Sequence, residues 1–273
     1  MYLIYAYGTG LGHLKRVSDF ISQQSISAKD CIIVTQSQFG YFWEKDWTVV
    51  KLPRSTFCNA LQFEIEFKKI LCRFPISEVI VDVFPEGFFG ELGSCLSLFK
   101  GKKVLLARIL SNEYFKKYPS NHIYNEVFLT ESGIDIENYS CKTTTEIEIK
   151  YQNLKQTSLN VPKSSYSIII HSQPLQEVEY LYQMARMYTS EQIIIFTAIL
   201  EDNLSMNNSV VFKMQQPPLE MLEKANKIFS GTGYNAVKML NKFHNKTIFV
   251  PFPREYDNQF LRKRLLGNKV KAL

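Results

Sequence analysis

The chain has 273 residues, of which 45% are hydrophobic and 21% charged, and its formal net charge is +6. This composition is that of a folded globular protein, with room for one large domain or two of ordinary size, and it excludes a disordered chain. The charge suits anionic ligands or an anionic membrane surface, and it is too small to indicate nucleic-acid binding by itself.

Three further features narrow the class of protein. The five cysteines are odd in number and contain no CxxC pair, so we expect reduced thiols rather than a structural zinc site. No apolar run reaches the length of a membrane span. The opening residues MYLIYAYG predict a strand rather than a signal peptide. These features predict a cytoplasmic protein.

Apolar runs alternate with amphipathic stretches along the first half of the chain. A strand over YLIYAYG precedes a helix over LGHLKRVSDFISQ, in which Leu14, Val17 and Ile21 share one face. The runs CIIVTQS, WTVVKLP, EVIVDVFP, KKVLLARIL and EVFLTE predict further strands. A helix is predicted near residues 90–99. Continuous Val, Ile and Leu runs are typical of strands covered on both faces, which indicates a parallel α/β sheet.

The stretch NALQFEIEFKKILCRF predicts a long helix between the third and fourth of these strands. The helical spacing is read from four positions: Leu61, Ile65, Lys68 and Cys72. Spacings of three and four residues place side chains on one helical face.

A polar segment from about residue 132 to 165 interrupts the alternation, which then restarts with YSIIIHS. The runs QIIIFTA, VVFKM, KIFSG and KTIFVPF predict strands, and LQEVEYLYQMARMY, PPLEMLEKA, YNAVKML and a segment from about residue 255 predict helices. We therefore predict one domain over 1–145, a connection over 146–159 and a second domain over 160–273. Ligands of such sheets bind at the strand ends, so we expect a cleft there.

The first predicted turn from strand to helix reads GTGLGH and carries Gly8, Gly10 and Gly12 before His13. Glycines let a backbone approach a ligand closely. The spacing differs from that of dinucleotide-binding and Walker A loops. His13 is either a capping or core residue, or a general base at the mouth of the cleft. Arg16 lies one turn later on the same face, where it binds an anion or is a surface arginine.

A second glycine turn occurs in KIFSGTGYNAVKML, between a predicted strand and a predicted helix. Backbone amides at such a turn suit a phosphate group. Further on, VPFPREYDNQ contains Arg254, which can pair with phosphate. Asp257 and Gln259 can bind vicinal sugar hydroxyls, although Asp257 is also a normal acid for the start of a helix.

The blocks GTGLGHLKR, VDVFPEGFFGEL, SGTGYNAVKML and PFPREYDNQFLRKRL together resemble those of predicted two-domain glycosyltransferases. These are relatives of the N-acetylglucosaminyltransferase of peptidoglycan lipid synthesis. The resemblance implies a GT-B fold, in which two Rossmann-like domains face a cleft, here with a shortened C-terminal part. It makes His13 the candidate base. The implied acceptor-side residues are Gly10, Gly12, Arg16 and Asp82. The implied donor-binding residues are Ser230, Gly231, Thr232, Gly233, Tyr234, Asn235, Arg254, Asp257 and Gln259.

The resemblance implies a metal-independent hexosyltransferase that needs no cofactor and moves a sugar from a nucleotide-diphosphate sugar to a hydroxyl acceptor. A saccharide and a lipid-linked acceptor both stay open, as do a homodimer and peripheral contact with the inner face of a membrane. Nucleic acid is not an expected partner. A nucleotide-sugar hydrolase of the same fold and a non-catalytic sugar- or lipid-binding relative are the alternatives. Asp82, which ends a predicted strand, either lines the acceptor side, orients His13 or caps a helix.

One departure from the family's pattern concerns the donor site. The family places a glutamate for the ribose shortly after the glycine turn, and this chain has Met239 there, after Lys238. A thioether is only a weak hydrogen-bond acceptor. We therefore expect weak nucleotide binding with a relaxed choice of nucleoside.

Overall fold

The computed structural model describes residues 1–8, 11–38, 46–149, 162, 164–199, 206–213 and 217–270. The chain divides into two compact units: Met1–Lys150 with Glu255–Asp257, and Tyr151–Arg254 with Asn258–Leu273. Most of the predicted connection over 146–159 lies outside the described residues, so the predicted domain boundaries stay predictions.

The first unit is a seven-stranded parallel sheet with the strand order β3-β2-β1-β4-β5-β6-β7. Its elements are β1 (Tyr2–Tyr5), α1 (Leu11–Gln23), β2 (Cys31–Thr35), β3 (Thr48–Lys51), α2 (Arg54–Phe57), α3 (Ala60–Arg73), β4 (Glu78–Asp82), α4 (Gly93–Leu98), β5 (Lys102–Ala107), α5 (Asn112–Lys117), β6 (Tyr124–Leu129) and β7 (Cys141–Glu146). The inner strands are buried on both faces, between two apolar clusters. This explains why their sequences are continuous apolar runs.

The register of β1 and β4 positions the candidate site. These strands are direct neighbours, and Tyr5 pairs with Val81. The chain leaves β1 toward Gly8 and ends β4 at Asp82, so both segments emerge at the same edge of the sheet. Leu14, Val17 and Ile21 of α1 are buried as predicted, and this packing fixes α1 against the sheet.

Helix α3 is present, but its buried face differs from the positions used to predict it. Phe63, Phe67 and Ile70 are the buried side chains, whereas Leu61 is 71% exposed and Ile65 42% exposed. Both sets have helical spacing, so spacing alone did not identify the inner face. The three aromatic and aliphatic side chains that do enter the core join the cluster around Tyr5 and Phe57.

Strand β7 is a finding that the sequence did not predict. Its residues CKTTTE fall in the polar segment, yet they pair in parallel with β6 from Tyr124↔Cys141 to Leu129↔Glu146. All but its first side chain are exposed. An edge strand held mainly by backbone hydrogen bonds needs no apolar pattern, and so it gave no signal.

The second unit is a five-stranded parallel sheet with the order β10-β9-β8-β11-β12. Its elements are β8 (Tyr166–Ile170), α6 (Leu175–Tyr188), β9 (Gln192–Thr197), β10 (Ser209–Lys213), α7 (Leu219–Lys224), β11 (Ile228–Gly231), α8 (Tyr234–Met239), β12 (Thr247–Val250) and α9 (Gln259–Val270). Helix α9 begins later than the predicted start near residue 255, because Glu255–Asp257 belongs to the first unit. None of the helices in the described ranges is long and apolar enough to cross a membrane.

Candidate active site

Three polar side chains meet at the carboxyl ends of β1 and β4. His13 and Arg16 project from the first turns of α1, and Asp82 ends β4. His13 Nδ1 lies 2.7 Å from Asp82 Oδ2. Arg16 donates from Nε to Oδ1 and from its NH2 group to Oδ2 of Asp82, each over 2.7 Å. The structure therefore brings His13 and Arg16 of α1 to Asp82. Of the three roles considered for Asp82, this geometry fits the one in which it orients His13.

The pKa shifts of the pair favour an ionised carboxylate and a neutral imidazole. Burial alone would raise the pKa of Asp82, but the adjacent Arg16 charge and the hydrogen bond from His13 lower it to about 2. Burial lowers the pKa of His13 below the usual 6.5, and the Asp82 hydrogen bond offsets part of this shift. At neutral pH the arrangement assigns the proton to Nδ1, which donates to Asp82. Nε2 then carries the lone pair.

The second ring nitrogen of His13, Nε2, is not used in the contact with Asp82. The side chain is 22% exposed, whereas Asp82 is fully buried. Among the residues that the structure describes, none makes a hydrogen bond to Nε2 of His13. Arg16 NH2 is 3.2 Å from Nδ1, on the side already facing Asp82. The group can therefore accept a proton through Nε2 from a bound molecule.

Gly8 makes room for the His13 ring, a role that the sequence analysis did not assign. A Cβ at position 8 would overlap Cδ2, Cγ and Nε2 of His13. We expect Gly8→Ala to push the ring away from Asp82 and to lower turnover while the fold persists, because a small displacement of a reacting group is costly. The check is kcat beside the thermal unfolding midpoint of the variant. An unchanged kcat would contradict this account of Gly8.

The backbone directly after Asp82 is strained. Val83 has φ 73°, and the Phe84 N–H donates to the Asp82 carbonyl over 3.0 Å. This is a γ-turn of the rare positive-φ kind, which is unfavourable for a β-branched residue. The turn directs Phe84 back toward the site, where its ring stacks near His13 at a centroid distance of 6.1 Å. Strain of this kind is found at functional sites.

Arg108 is a polar residue at this edge that the sequence analysis missed. It follows β5, the strand next to β4, and its NH2 group donates to Asp257 Oδ1 over 2.8 Å. Its charge also lowers the pKa of His13. The sequence feature that could have identified Arg108 is its position directly after the apolar run VLLA, at the end of a predicted strand. The structure thus places Asp257 against Arg108 in the first unit, and its predicted contact with a sugar stays a prediction.

The glycine turn of the second unit follows β11 as predicted. Ser230 is buried and donates to the Ile170 carbonyl over 2.7 Å. Oγ1 of Thr232 and Oδ1 of Asn235 are buried without a hydrogen-bond partner among the described residues. A Cβ at Gly233 would meet nothing within 4 Å. Buried polar atoms are normally satisfied, so Thr232 Oγ1 and Asn235 Oδ1 can each form a hydrogen bond to a bound molecule.

The remaining predicted donor residues have protein partners of their own. Arg254 donates from both terminal nitrogens to the Glu177 carboxylate over 2.5 and 2.6 Å. Gln259 is buried, and its Oε1 accepts the Phe252 N–H over 3.1 Å. Their predicted roles in binding phosphate and sugar stay predictions.

Four other positions that the sequence singled out lie in or near the two glycine turns. Tyr234 is buried and opens α8. Gly12 lies in the first turn of α1, whereas Gly10 lies outside the described residues. Met239 packs against the apolar cluster of the second unit. In the described ranges, no group of three or more His, Cys, Asp or Glu side chains is arranged to hold a metal ion.

Comparison with known proteins gives matches in structure alone. No protein-family model matches the chain, and no curated protein matches it by sequence. A glycosyltransferase from a Streptomyces species, solved with thymidine diphosphate, is similar over 98% of this chain and 85% of its own, with a TM-score of 0.63 and 10% identity. MurG from Acinetobacter baumannii is similar over 98% of this chain and 83% of its own, with a TM-score of 0.57 and 11% identity.

An enzyme with a different reaction has a similar structure. The UDP-GlcNAc 2-epimerase from Methanocaldococcus jannaschii covers 98% of this chain and 92% of its own, with a TM-score of 0.50 and 14% identity. At these identities the likeness shows the fold, and function has to be argued from the site. The predicted fold is confirmed: this chain has the α/β GT-B fold of these glycosyltransferases.

Proposed function

We propose that the protein is a nucleotide-sugar glycosyltransferase in which His13 removes the proton of an acceptor hydroxyl. The observation that carries this proposal is the contact of His13 Nδ1 with the buried Asp82 carboxylate, which leaves Nε2 for a bound molecule. A general base must combine a free lone pair with a fixed orientation, and a His–carboxylate pair supplies both. The GT-B fold of the chain agrees with this chemistry.

The step conserves atoms and charge. The acceptor O–H gives its proton to Nε2 of His13, and the acceptor oxygen forms a bond to the anomeric carbon of the donor sugar. The bond from that carbon to the phosphate oxygen breaks, and its electron pair leaves on the nucleoside diphosphate. Asp82 stabilises the imidazolium that forms, because its carboxylate stays ionised with a pKa of about 2.

The glycine turn of the second unit is the proposed donor site. The hydroxyl of Thr232 can donate to a phosphate oxygen, and the amide of Asn235 can serve a phosphate or a hydroxyl group. Both carry buried atoms without a hydrogen-bond partner among the described residues. Space beside Gly233 leaves the backbone open to approach. Because Met239 packs against apolar side chains, we expect this site to discriminate weakly between nucleosides.

Gly233→Val tests the donor site without disturbing the fold. The new side chain would enter open space in the protein and occupy the position proposed for the diphosphate. We expect the affinity for nucleoside diphosphates to fall at least about tenfold, a loss of roughly 1.4 kcal/mol, with little change in the unfolding midpoint. Titration calorimetry measures the affinity.

A matched control is Gly267→Val, at another glycine whose Cβ would meet nothing within 4 Å. This position lies in α9, and the control should leave nucleotide affinity unchanged. Equal affinities of the wild type and Gly233→Val would exclude the glycine turn as the donor site.

The activity is tested with a panel of nucleotide sugars, by measuring nucleoside-diphosphate release with and without hydroxyl acceptors. Saccharides and lipid-linked acceptors are the two classes to include. Release that depends on an acceptor supports the transferase. Release at the same rate without an acceptor identifies a hydrolase in which water takes the acceptor's place. A folded protein that binds no member of the panel contradicts both activities.

A further inference from the structure

A second His–carboxylate–Arg cluster lies in the second unit, at the carboxyl end of β8. His171 follows β8 directly, and its Nε2 lies 2.6 Å from Glu177 Oε2. Arg254 donates hydrogen bonds to the same carboxylate from both terminal nitrogens. The His171 side chain is 10% exposed and that of Glu177 is 15% exposed. The sequence analysis assigned neither residue a role.

This cluster adjoins the glycine turn. Strand β8 is the direct neighbour of β11, so His171 and Gly231 leave the sheet side by side. A Cβ at Gly231 would come within 2.9 Å of both Cε1 and Nδ1 of His171. The bare α-carbon of Gly231 therefore faces the ring edge, and Thr232 with its unpartnered Oγ1 follows immediately. His171 is the titratable side chain placed against the turn.

Neighbouring groups act in both directions on the protonation of His171. Burial lowers the pKa of His171 below 6.5, while Glu177 and the backbone carbonyl of Gln173 act to raise it and Arg254 acts to lower it. The Phe252 ring, whose centroid is 5.1 Å from that of the imidazole, adds no charge. Glu177 and the Gln173 carbonyl can therefore accept the two N–H groups of a protonated His171. One added negative charge nearby would favour the protonated ring.

Charge counting shows what protonation would change. With neutral His171, the Arg254 and Glu177 charges cancel, so the cluster presents no net charge to a ligand. With protonated His171 the cluster carries one positive charge. Arg254 alone does not supply that charge, because Glu177 already binds both of its terminal nitrogens.

We propose that His171 takes up a proton when a diphosphate binds at the Gly231–Asn235 turn, and that its imidazolium stabilises the departing diphosphate. This inference rests on the proposed donor site and adds a residue to it. In the transfer step the electron pair of the broken bond stays on the leaving phosphate oxygen, and the proton of His171 stays on the ring. Positive charge placed where negative charge develops lowers the barrier without a metal ion.

The first test is proton uptake on binding. Uridine diphosphate and thymidine diphosphate are titrated into the full chain at pH 7 to 8, in buffers of different ionisation enthalpy. The pKa of His171 is low in the free protein and raised in the complex, so affinity should increase as pH falls between these two values. The limiting slope is about tenfold per pH unit, with uptake approaching about one proton. Above the bound-state pKa the affinity should be flat.

The second test assigns the proton. His171→Gln should abolish the uptake and weaken binding at pH 7, while His244→Gln, at an exposed histidine of the same unit, should change neither. The chain has four histidines, so the Cε1 resonances of the wild type can be assigned with single variants. The resonance of His171 should report a pKa that is higher by about one unit or more in the complex. Variants at the other three histidines assign the His171 resonance by elimination, so this readout does not depend on whether His171→Gln folds.

The outcomes separate the two proposals. Nucleotide binding without proton uptake, or with uptake that persists in His171→Gln, overturns the role of His171 and leaves the donor site in place. An unchanged His171 resonance on saturation with nucleotide overturns it as well. Failure of the folded protein to bind any nucleoside diphosphate or nucleotide sugar overturns the donor site itself.

Discussion

Replacing His13 by Asn is expected to lower kcat by about two to four orders of magnitude, the usual contribution of a general base. Asparagine can still donate to Asp82, so the buried carboxylate keeps a partner, but it has no lone pair of suitable basicity. Donor affinity should stay within about twofold, because the proposed donor site lies in the other unit. Single-turnover measurements with saturating donor give the rate of the chemical step.

His244→Asn serves as the control, because this histidine is exposed and remote from Asp82 in the chain. It should retain the wild-type rate. A His13→Asn variant that turns over as fast as the control would make His13 a structural residue and would return the role of base to another group.

Replacing Asp82 by Asn is expected to reduce the free energy of unfolding by about 3–5 kcal/mol. Asp82 is fully buried and Arg16 is 1% exposed, so the change removes a negative charge that lies beside the buried Arg16 guanidinium. Urea unfolding followed by circular dichroism measures the loss. The same variant should also lose turnover, because nothing then holds the proton of His13 on Nδ1.

Two comparisons show whether the loss comes from the buried charge. Glu64→Gln removes a carboxylate that pairs with Lys68 at the surface, and it should cost less than about 1 kcal/mol. Adding Arg16→Met to Asp82→Asn removes the uncompensated charge and should recover part of the stability. If the double variant is no more stable than Asp82→Asn, the buried charge is not the cause.

The same carboxylate gives stability a dependence on pH. The pKa of Asp82 falls from 3.8 to about 2 on folding, so the folded state holds the ionised form more strongly than the unfolded chain does. This contribution, roughly 2 kcal/mol, is fully present above pH 4 and is lost as pH falls toward 2. Asp82→Asn should remove this part of the acid sensitivity.

The sequence predicted most of the sheet framework because inner parallel strands need side chains that suit burial on both faces. The runs YLIY and EVIVD show this directly, and both form neighbouring central strands. β7 could not be predicted in the same way, since backbone pairing at an edge leaves Thr143 and Thr144 exposed. The pattern of apolar residues in a strand reflects how its side chains are buried, and the side chains of β7 are almost all exposed.

The sequence singled out His13, Arg16 and Asp82, which the structure brings together, but it did not predict their pairing or the presence of Arg108. His13 stood out beside glycines, but its contact with Asp82 spans 69 residues and depends on the register between β1 and β4. Glu177 gave no signal at all, because an acid in the first turn of a helix is ordinary. Because Glu177 accepts hydrogen bonds from both terminal nitrogens of Arg254, its carboxylate neutralises the charge that this arginine would present to a phosphate.

The short segment Glu255–Asp257 has a consequence for the order in which the protein can form during synthesis. These residues complete the first unit, where Tyr256 packs with Phe84, Leu110 and Tyr114. A ribosome delivers them only after every strand of the second unit has been made. The first unit therefore begins to emerge first but is completed only after the last strand of the second unit, and a nascent chain released after residue 150 would expose the aromatic surface that Tyr256 covers.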